Sequence, residues 1–330
     1  MSFGKKLAGN LKKYMLVYTI ITALAAVIVG SSIPLIAKIS PKAFKSIVML
    51  LAATTIFPSM ILLRGEKLSS ALKRIRYVLI VILYAYALSP ILAYFVSATI
   101  SNPDIRIGFL AANTVPASAA SIGYVMLAEG DLELATASIF ILVAIGTVLI
   151  PAYLYIYASM MTVSVPILEI VKPVVAVLVV PLVIGQLARR YIIKKKGVSF
   201  VESELKPYLS ASTVLVMLLL IFILISRKAV LIVKNPYTTL EILLTYSLIV
   251  FIIIMIGLAV SKLLKLGYRV HQAIMFLSIT KNESVAAAVA TCGFGPTAAL
   301  APALIPSIQP VLAIAYLHAE KLVKKICHQA

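Results

Sequence analysis

The sequence predicts an all-α integral membrane protein, on three observations: 62% of its 330 residues are hydrophobic, only 12% are charged, and the apolar residues fall in runs of about twenty. The mean hydropathy of +1.09 agrees. A soluble domain of this length has no interior large enough for so much apolar surface, so lipid is the expected solvent. Transmembrane β-strands would alternate over segments of about ten residues, and these runs are too long and too uniform for that.

With about twenty residues as the length that crosses a bilayer, runs lie near 15–37, 45–63, 77–100, 106–128 and 132–158. A second set lies near 168–190, 208–226, 238–262, 270–293 and 297–320. The first run follows Lys12 and Lys13, is too long for an export signal and lacks a small-residue cleavage pattern, so it is read as a spanning helix. About ten spans result, forming one transmembrane domain over 1–330. Five spans per half give the halves opposite topology, so 15–158 and 168–320 are read as inverted repeats of the kind that secondary transporters use. The repeat rests on spacing, because the halves share no strong identity.

Basic residues set the orientation. Lys5, Lys6, Lys12 and Lys13 precede the first run; Arg64, Lys67, Lys73, Arg74 and Arg76 join the second to the third. Arg189, Arg190, Lys194, Lys195, Lys196 and Lys206 lie between the sixth and seventh. With three more between the eighth and ninth and three at the C-terminus, that side carries 21 Lys and Arg against seven on the other. The positive-inside rule then places both termini in the cytoplasm of a multi-pass protein of the cell membrane. The net charge of +19 therefore reports topology, and no nucleic-acid partner is expected.

Two runs carry the polar interruptions that mark a transport site. In the fourth, Asn113, Thr114, Val115, Pro116, Ala117, Ser118 and Ser121 set a proline and small polar residues in an apolar stretch, so the helix is expected to break near 113–117. In the ninth, Thr280, Lys281, Asn282, Glu283 and Ser284 form the most polar cluster at membrane depth. Half-helix N-termini offer N–H groups to anions and unwound carbonyls suit cations. An ionisable side chain at this depth faces a cavity or a partner. Lys281 either replaces a coupling cation, carries a proton or binds an anionic substrate; the plainer reading is an ion pair with Glu283 or a fixed charge that stabilises the break.

Elsewhere structural roles are expected. Glu169 and Lys172 are spaced to pair, His271 and His318 lie near helix ends, and Glu129, Asp131 and Glu133 favour the start of the fifth helix. Tyr84, Tyr86, Tyr153, Tyr155 and Tyr157 read as interfacial anchors, and Pro302, Pro306 and Pro310 should bend the tenth helix. Cys292 and Cys327 form no CxxC, and no cofactor or metal is expected. An enzyme needs a nucleophile and base, paired aspartates or a metal cluster in its spans. The two aspartates, Asp104 and Asp131, fall in loops, so the chain reads as a non-enzyme. A Walker-type loop is absent too, which argues against a pump that hydrolyses ATP by itself.

The stretch 113–158, with its Leu127-Ala128-Glu129-Gly130-Asp131 turn, resembles the bile acid:sodium symporter family and its relatives, the arsenite efflux permeases. So do Thr280–Ala290 with the following Phe294-Gly295, and Pro181–Gly185 ahead of Arg189 and Arg190. The resemblance implies ten helices in two inverted five-helix repeats, a panel and a core domain, and broken fourth and ninth helices that cross at the transport site. In sodium-coupled members the fourth helix supplies a Ser-Asn pair, the fifth adds hydroxyls, and the ninth carries a Glu before a Gln-Asn pair. Here Ser121 and Asn282 keep their places, but Ile122, Ala135, Ile139, Leu277 and Lys281 replace the other groups. A site without its carboxylate and with an added ammonium binds Na⁺ poorly, since like charges repel strongly in a low dielectric. The arsenite permeases carry a cysteine where Ala117 stands. The expected function is thus secondary transport of a small organic anion with Lys281-based coupling, H⁺ or Na⁺ remaining open. A sodium symporter, an arsenite-permease-like exporter, and a channel or sensor on the same fold are the alternatives.

Overall fold

The computed structural model describes residues 10, 11, 14–33, 36–65, 74–118, 120–161 and 165–327. Lys5, Lys6, Lys12, Lys13, Lys67 and Lys73 of the charge argument lie outside the described residues. The described chain is helical throughout, and its one β-type contact is an isolated antiparallel bridge between Ala117 and Lys281.

The helices follow the apolar runs closely. They are α1 (Met15–Ser32) and α2 (Pro41–Leu62), then α3, which runs through Ile75–Leu83, a π turn at Tyr84–Leu88 and Ser89–Val96. Next come α4 (Pro103–Thr114), α5 (Ser121–Leu127), α6 (Leu132–Met160), and α7, made of Ile167–Val174, a π turn at Val175–Val179 and Val180–Ser199. The chain continues through α8 (Lys206–Lys234), α9 (Pro236–Leu263), α10 (Tyr268–Ile279) and α11 (Glu283–Phe294). It ends with α12, made of Leu300–Leu304, a 3₁₀ turn at Ile305–Ser307 and Gln309–His318, and with α13 (Glu320–Ile326). The recurring prolines explain the three-part α12, as the sequence suggests. Asp131 caps α6, its Oδ1 accepting from the Leu134 N–H at 2.9 Å.

Among the described residues seven helical stretches are long and apolar enough to cross a membrane. The longest, Ile167–Lys234, has 68 residues. At 1.5 Å per residue that is about 100 Å, some three times the hydrocarbon thickness of a bilayer. It is interrupted at Gly197, whose φ of 81° and ψ of 166° are not helical. The outer surface is apolar: Leu50, Phe95 and Val148 are each about 70% exposed, and Leu24, Leu244 and Phe251 are exposed as well. Such a surface is stable only in lipid.

Small residues let helices approach closely. A Cβ at Gly30 of α1 would lie 2.4 Å from the Ser226 carbonyl oxygen of α8, whose Oγ in turn donates to the Ala26 carbonyl at 3.1 Å. A Cβ at Gly108 of α4 would lie 1.7 Å from the Ala298 carbonyl oxygen. Arg189, expected in a cytoplasmic loop, is instead buried and donates to the Ile61 carbonyl at 3.1 Å. Gln186 donates to the Met60 and Leu63 carbonyls at 2.7 and 3.0 Å, so α7 satisfies the last carbonyls of α2.

Gly30→Val and Gly108→Val are expected to lower the thermal midpoint in detergent by the equivalent of about 1–3 kcal/mol each. Gly293→Ala, whose Cβ would meet nothing closer than 3.6 Å, should be neutral or slightly stabilising. Equal midpoints for all three would refute the close-packing account.

Candidate functional site

Two helix interruptions meet inside the molecule. The first has a local cause: Val115 precedes Pro116, and the proline ring disfavours the helical region for its predecessor. Val115 is accordingly extended, with φ −76° and ψ 156°, and α4 stops at Thr114. Its terminal carbonyls find side-chain donors, Ser89 Oγ to Asn113 O at 3.0 Å and Thr114 Oγ1 to Ala111 O at 3.0 Å. The Asn113 side chain donates to Phe109 O at 2.9 Å.

The second interruption, between α10 and α11, contains neither proline nor glycine. Thr280 is extended (φ −118°, ψ 100°) and Asn282 non-helical (φ −90°, ψ 84°). Tertiary hydrogen bonds hold it open. Ser118 N–H donates to Thr280 O at 3.1 Å, and Asn282 N–H donates to Pro116 O at 3.0 Å. These two bonds form the bridge between Ala117 and Lys281. Ser121 Oγ adds contacts to Thr280, at 3.3 Å to its carbonyl and 2.5 Å to its hydroxyl.

The remaining main-chain groups of Lys281 are taken by Gln309 of α12. Its Oε1 accepts from Lys281 N–H at 2.8 Å and its Nε2 donates to Lys281 O at 3.3 Å, so the amide behaves as a third strand one residue long. Tyr246 of α9 directs its hydroxyl at both Gln309 Oε1 (2.7 Å) and Ile279 O (3.0 Å). Buried polar groups in hydrocarbon need such partners, and here the interruption has them.

Lys281 itself is 2% exposed, and its Nζ donates to Ala85 O at 3.3 Å. That carbonyl is available because of a defect in α3. The Ser89 N–H, its ordinary helical partner, is given to Tyr84 O across the π turn, and Pro90 has no N–H to offer. Tyr86 O loses its donor to the same proline and accepts from the Tyr153 hydroxyl instead, while Tyr157 donates to Pro90 O at 2.9 Å. These tyrosines therefore lock α3 to α6, whereas Tyr155 is exposed.

Glu283, 6% exposed, opens α11, and neither of its carboxylate oxygens has a hydrogen-bond partner among the described residues. The structure thus gives the Lys281 ammonium a carbonyl to bind and leaves Glu283 without a hydrogen bond. Ser118, Thr280, Lys281, Asn282, Glu283 and Ser284 line one cleft with Gln309. Its opposite wall is Thr55, Ile56 and Ser59 of α2 and Thr213, Met217 and Leu220 of α8. The cleft encloses ≈ 870 Å³ of empty space, its open mouth included. Of the other residues expected at the site, Ser121 and Pro116 serve the crossing from behind, and Asn113 stabilises the end of α4.

Sequence reasoning missed Gln309, Tyr246 and Ala85. An amide in an apolar helix was the available signal for Gln309; nothing in the sequence marks Ala85 except Pro90 five residues on. His271, expected near a helix end at the interface, is instead fully buried, its Nδ1 2.6 Å from Ser261 Oγ and its Nε2 2.8 Å from the Tyr316 hydroxyl. Glu169 pairs with Lys45 at 3.5 Å rather than with Lys172. Among the described residues no group of three His, Cys, Asp or Glu could hold a metal ion.

Residues 47–235 match the sequence model of the Sodium Bile acid symporter family. Over 311 residues the chain is 22% identical to the "Arsenical-resistance protein Acr3" of Alkaliphilus metalliredigens (strain QYMF), covering 87% of this chain and 85% of that protein.

Gln309→Leu leaves the Lys281 N–H and carbonyl buried without partners, at about 1–3 kcal/mol each. Its thermal midpoint in detergent should fall well below that of Tyr246→Phe, which loses a single donor and about 1 kcal/mol. A Gln309→Leu protein as stable as wild type would show that the amide does not hold the crossing.

Proposed function

The chain belongs to the sodium bile acid symporter family, and on that premise we propose that this transporter carries a small organic anion, with the Lys281 ammonium standing where a coupling cation would bind. The observation that carries the reading is the fully buried Nζ of Lys281 on the Ala85 carbonyl, a contact of the kind a metal cation would make with unwound backbone. The missing carboxylate at Leu277 and the hydrophobic residues at Ile122, Ala135 and Ile139 support a site that does not depend on Na⁺.

We read the fold as ten spans in two inverted repeats, approximately 15–158 and 168–320. The break at Gly197 divides the 68-residue stretch in two, and the interrupted pairs α4/α5 and α10/α11 each supply one further span. The crossing supports the repeat, because each interruption gives the other one N–H and one carbonyl, as twofold-related elements would. The charge distribution supports cytoplasmic termini and residence in the cell membrane. An anionic substrate is favoured by the N-terminus of α11 and by the Asn282 and Ser118 side chains along the cleft.

Alternating access is supported by an asymmetry along the membrane normal. The cleft reaches Met15 at the start of α1, Ser59 near the end of α2 and Thr213 near the start of α8, all on the expected cytoplasmic side. At the opposite side Lys45 of α2 donates to Cys292 O near the end of α11 at 2.6 Å and pairs with Glu169 of α7. That contact is read as the closed outer gate. The similarity to an arsenical-resistance protein over 87% of the chain supports a second reading, export of an arsenical, although Ala117 replaces the cysteine of the arsenite permeases.

Two measurements follow. In proteoliposomes, wild-type uptake of the organic anion should be saturable and indifferent to an imposed Na⁺ gradient, and Lys281→Gln should either abolish it or make it Na⁺-dependent. Wild-type uptake that follows Na⁺, with an indifferent mutant, would sink the proposal, and uptake of arsenite alone would favour the second reading. In a Cys327→Ser background, Lys45→Met should speed labelling of buried Cys292 by an impermeant maleimide added outside, by about threefold or more. An unchanged rate would remove Lys45 from the gate.

A further inference from the structure

Among the described residues Glu283 is the one carboxylate that lines the cleft, and both its oxygens lack hydrogen-bond partners there while only 6% of the residue is exposed. A buried carboxylate in that condition is costly unless a donor reaches it. Several donors of the crossing are engaged elsewhere. Lys281 Nζ gives one of its three N–H groups to Ala85 O, the Tyr246 hydroxyl is directed at Ile279 O and Gln309 Oε1, and Gln309 Nε2 donates to Lys281 O. The hydroxyls of Ser121 and Thr280 bond each other. Across the cleft, Thr55 and Thr213 donate to Leu51 O and Leu209 O of their own helices, at 2.7 and 3.0 Å. A donor entering through the cleft that Glu283 lines would supply the missing hydrogen bond.

We propose that Glu283 reads a hydrogen-bond donor on the substrate, so that the transported class is organic acids bearing a hydroxyl or amino group near the carboxylate, not plain carboxylates. The carboxylate end lies toward the Asn282 amide, the Ser118 hydroxyl and the N-terminus of α11, and the hydroxyl or ammonium end toward the Glu283 oxygens. An acid without the donor leaves Glu283 unsatisfied when it shuts out water, which is how a polar site rejects a close analogue. This inference rests on the organic-anion reading of the cleft proposed above.

The test compares matched acids in proteoliposome uptake: lactate with propionate, malate with succinate, and glutamate with glutarate. In the pair that fits the cleft, the donor-bearing member should have kcat/KM roughly tenfold or more above its partner. Glu283→Gln should collapse that ratio toward one whatever its absolute rate, and Glu283→Asp, which keeps the carboxylate, should retain the direction of the preference. Uptake of both members without discrimination, or a ratio unchanged in Glu283→Gln, overturns the role of Glu283 and leaves the organic-anion reading standing. Uptake of no acid in any pair overturns both together.

Discussion

The rest of the site depends on two reciprocal main-chain hydrogen bonds, Ser118 N–H to Thr280 O and Asn282 N–H to Pro116 O. A helix that opens inside a membrane exposes donors and acceptors that lipid cannot satisfy, at several kcal/mol for each. Neither interruption is tolerable alone. Placed across one another in antiparallel register they become a minimal two-stranded ladder, and Gln309 extends it on the far side of Lys281. The crossing thus converts two local defects into a single point where backbone, and not only side chains, can face a cleft.

A third defect is coupled to the first two. The π turn of α3 and Pro90 leave Ala85 O and Tyr86 O without helical donors. One carbonyl is satisfied by Lys281, which springs from the α10/α11 break, and the other by Tyr153 of α6. The orientation of the Lys281 side chain is therefore set from both ends, by the Gln309 amide at its backbone and by the α3 carbonyl at its tip. Tyr246 fixes the amide in turn. A displacement of α12 or α9 relative to α10 would be felt at the ammonium through two hydrogen bonds.

The membrane class was legible because run length is a one-dimensional property, and most helix bounds lie within a few residues of the apolar runs, although α7 and α8 continue well past 190 and 226, to Ser199 and Lys234. The α4 break was legible because proline acts on its own neighbours. The polar cluster at 280–284 marked the other break, but nothing local opens Thr280-Lys281-Asn282; its cause lies 160 residues away at Pro116 and Ser118. Gln309 stands between prolines that drew attention to bending, and Tyr246 belongs to a residue type ordinarily found at interfaces. Arg189 and His271 were misjudged for a related reason. Charge near a span end predicts topology, yet Arg189 donates to the Ile61 carbonyl of α2 and His271 is buried against Ser261 and Tyr316.

A tethered ammonium differs from a bound ion in one thermodynamic respect, since its occupancy is independent of concentration on either side of the membrane. A carrier that fills its cation position with Lys281 gains the local electrostatics of the ion but cannot draw on the ion's gradient. The free energy for uphill transport must then come from the substrate's own gradient, from a proton, or from the membrane potential acting on charge that moves with the core. The last is worth about 2.3 kcal/mol per charge per 100 mV. Lys281 and Glu283 lie two residues apart on the same crossing, so while both are ionised any movement of the two together carries no net charge. If the pair stays ionised throughout the cycle, the substrate's own charge becomes the quantity on which the potential acts.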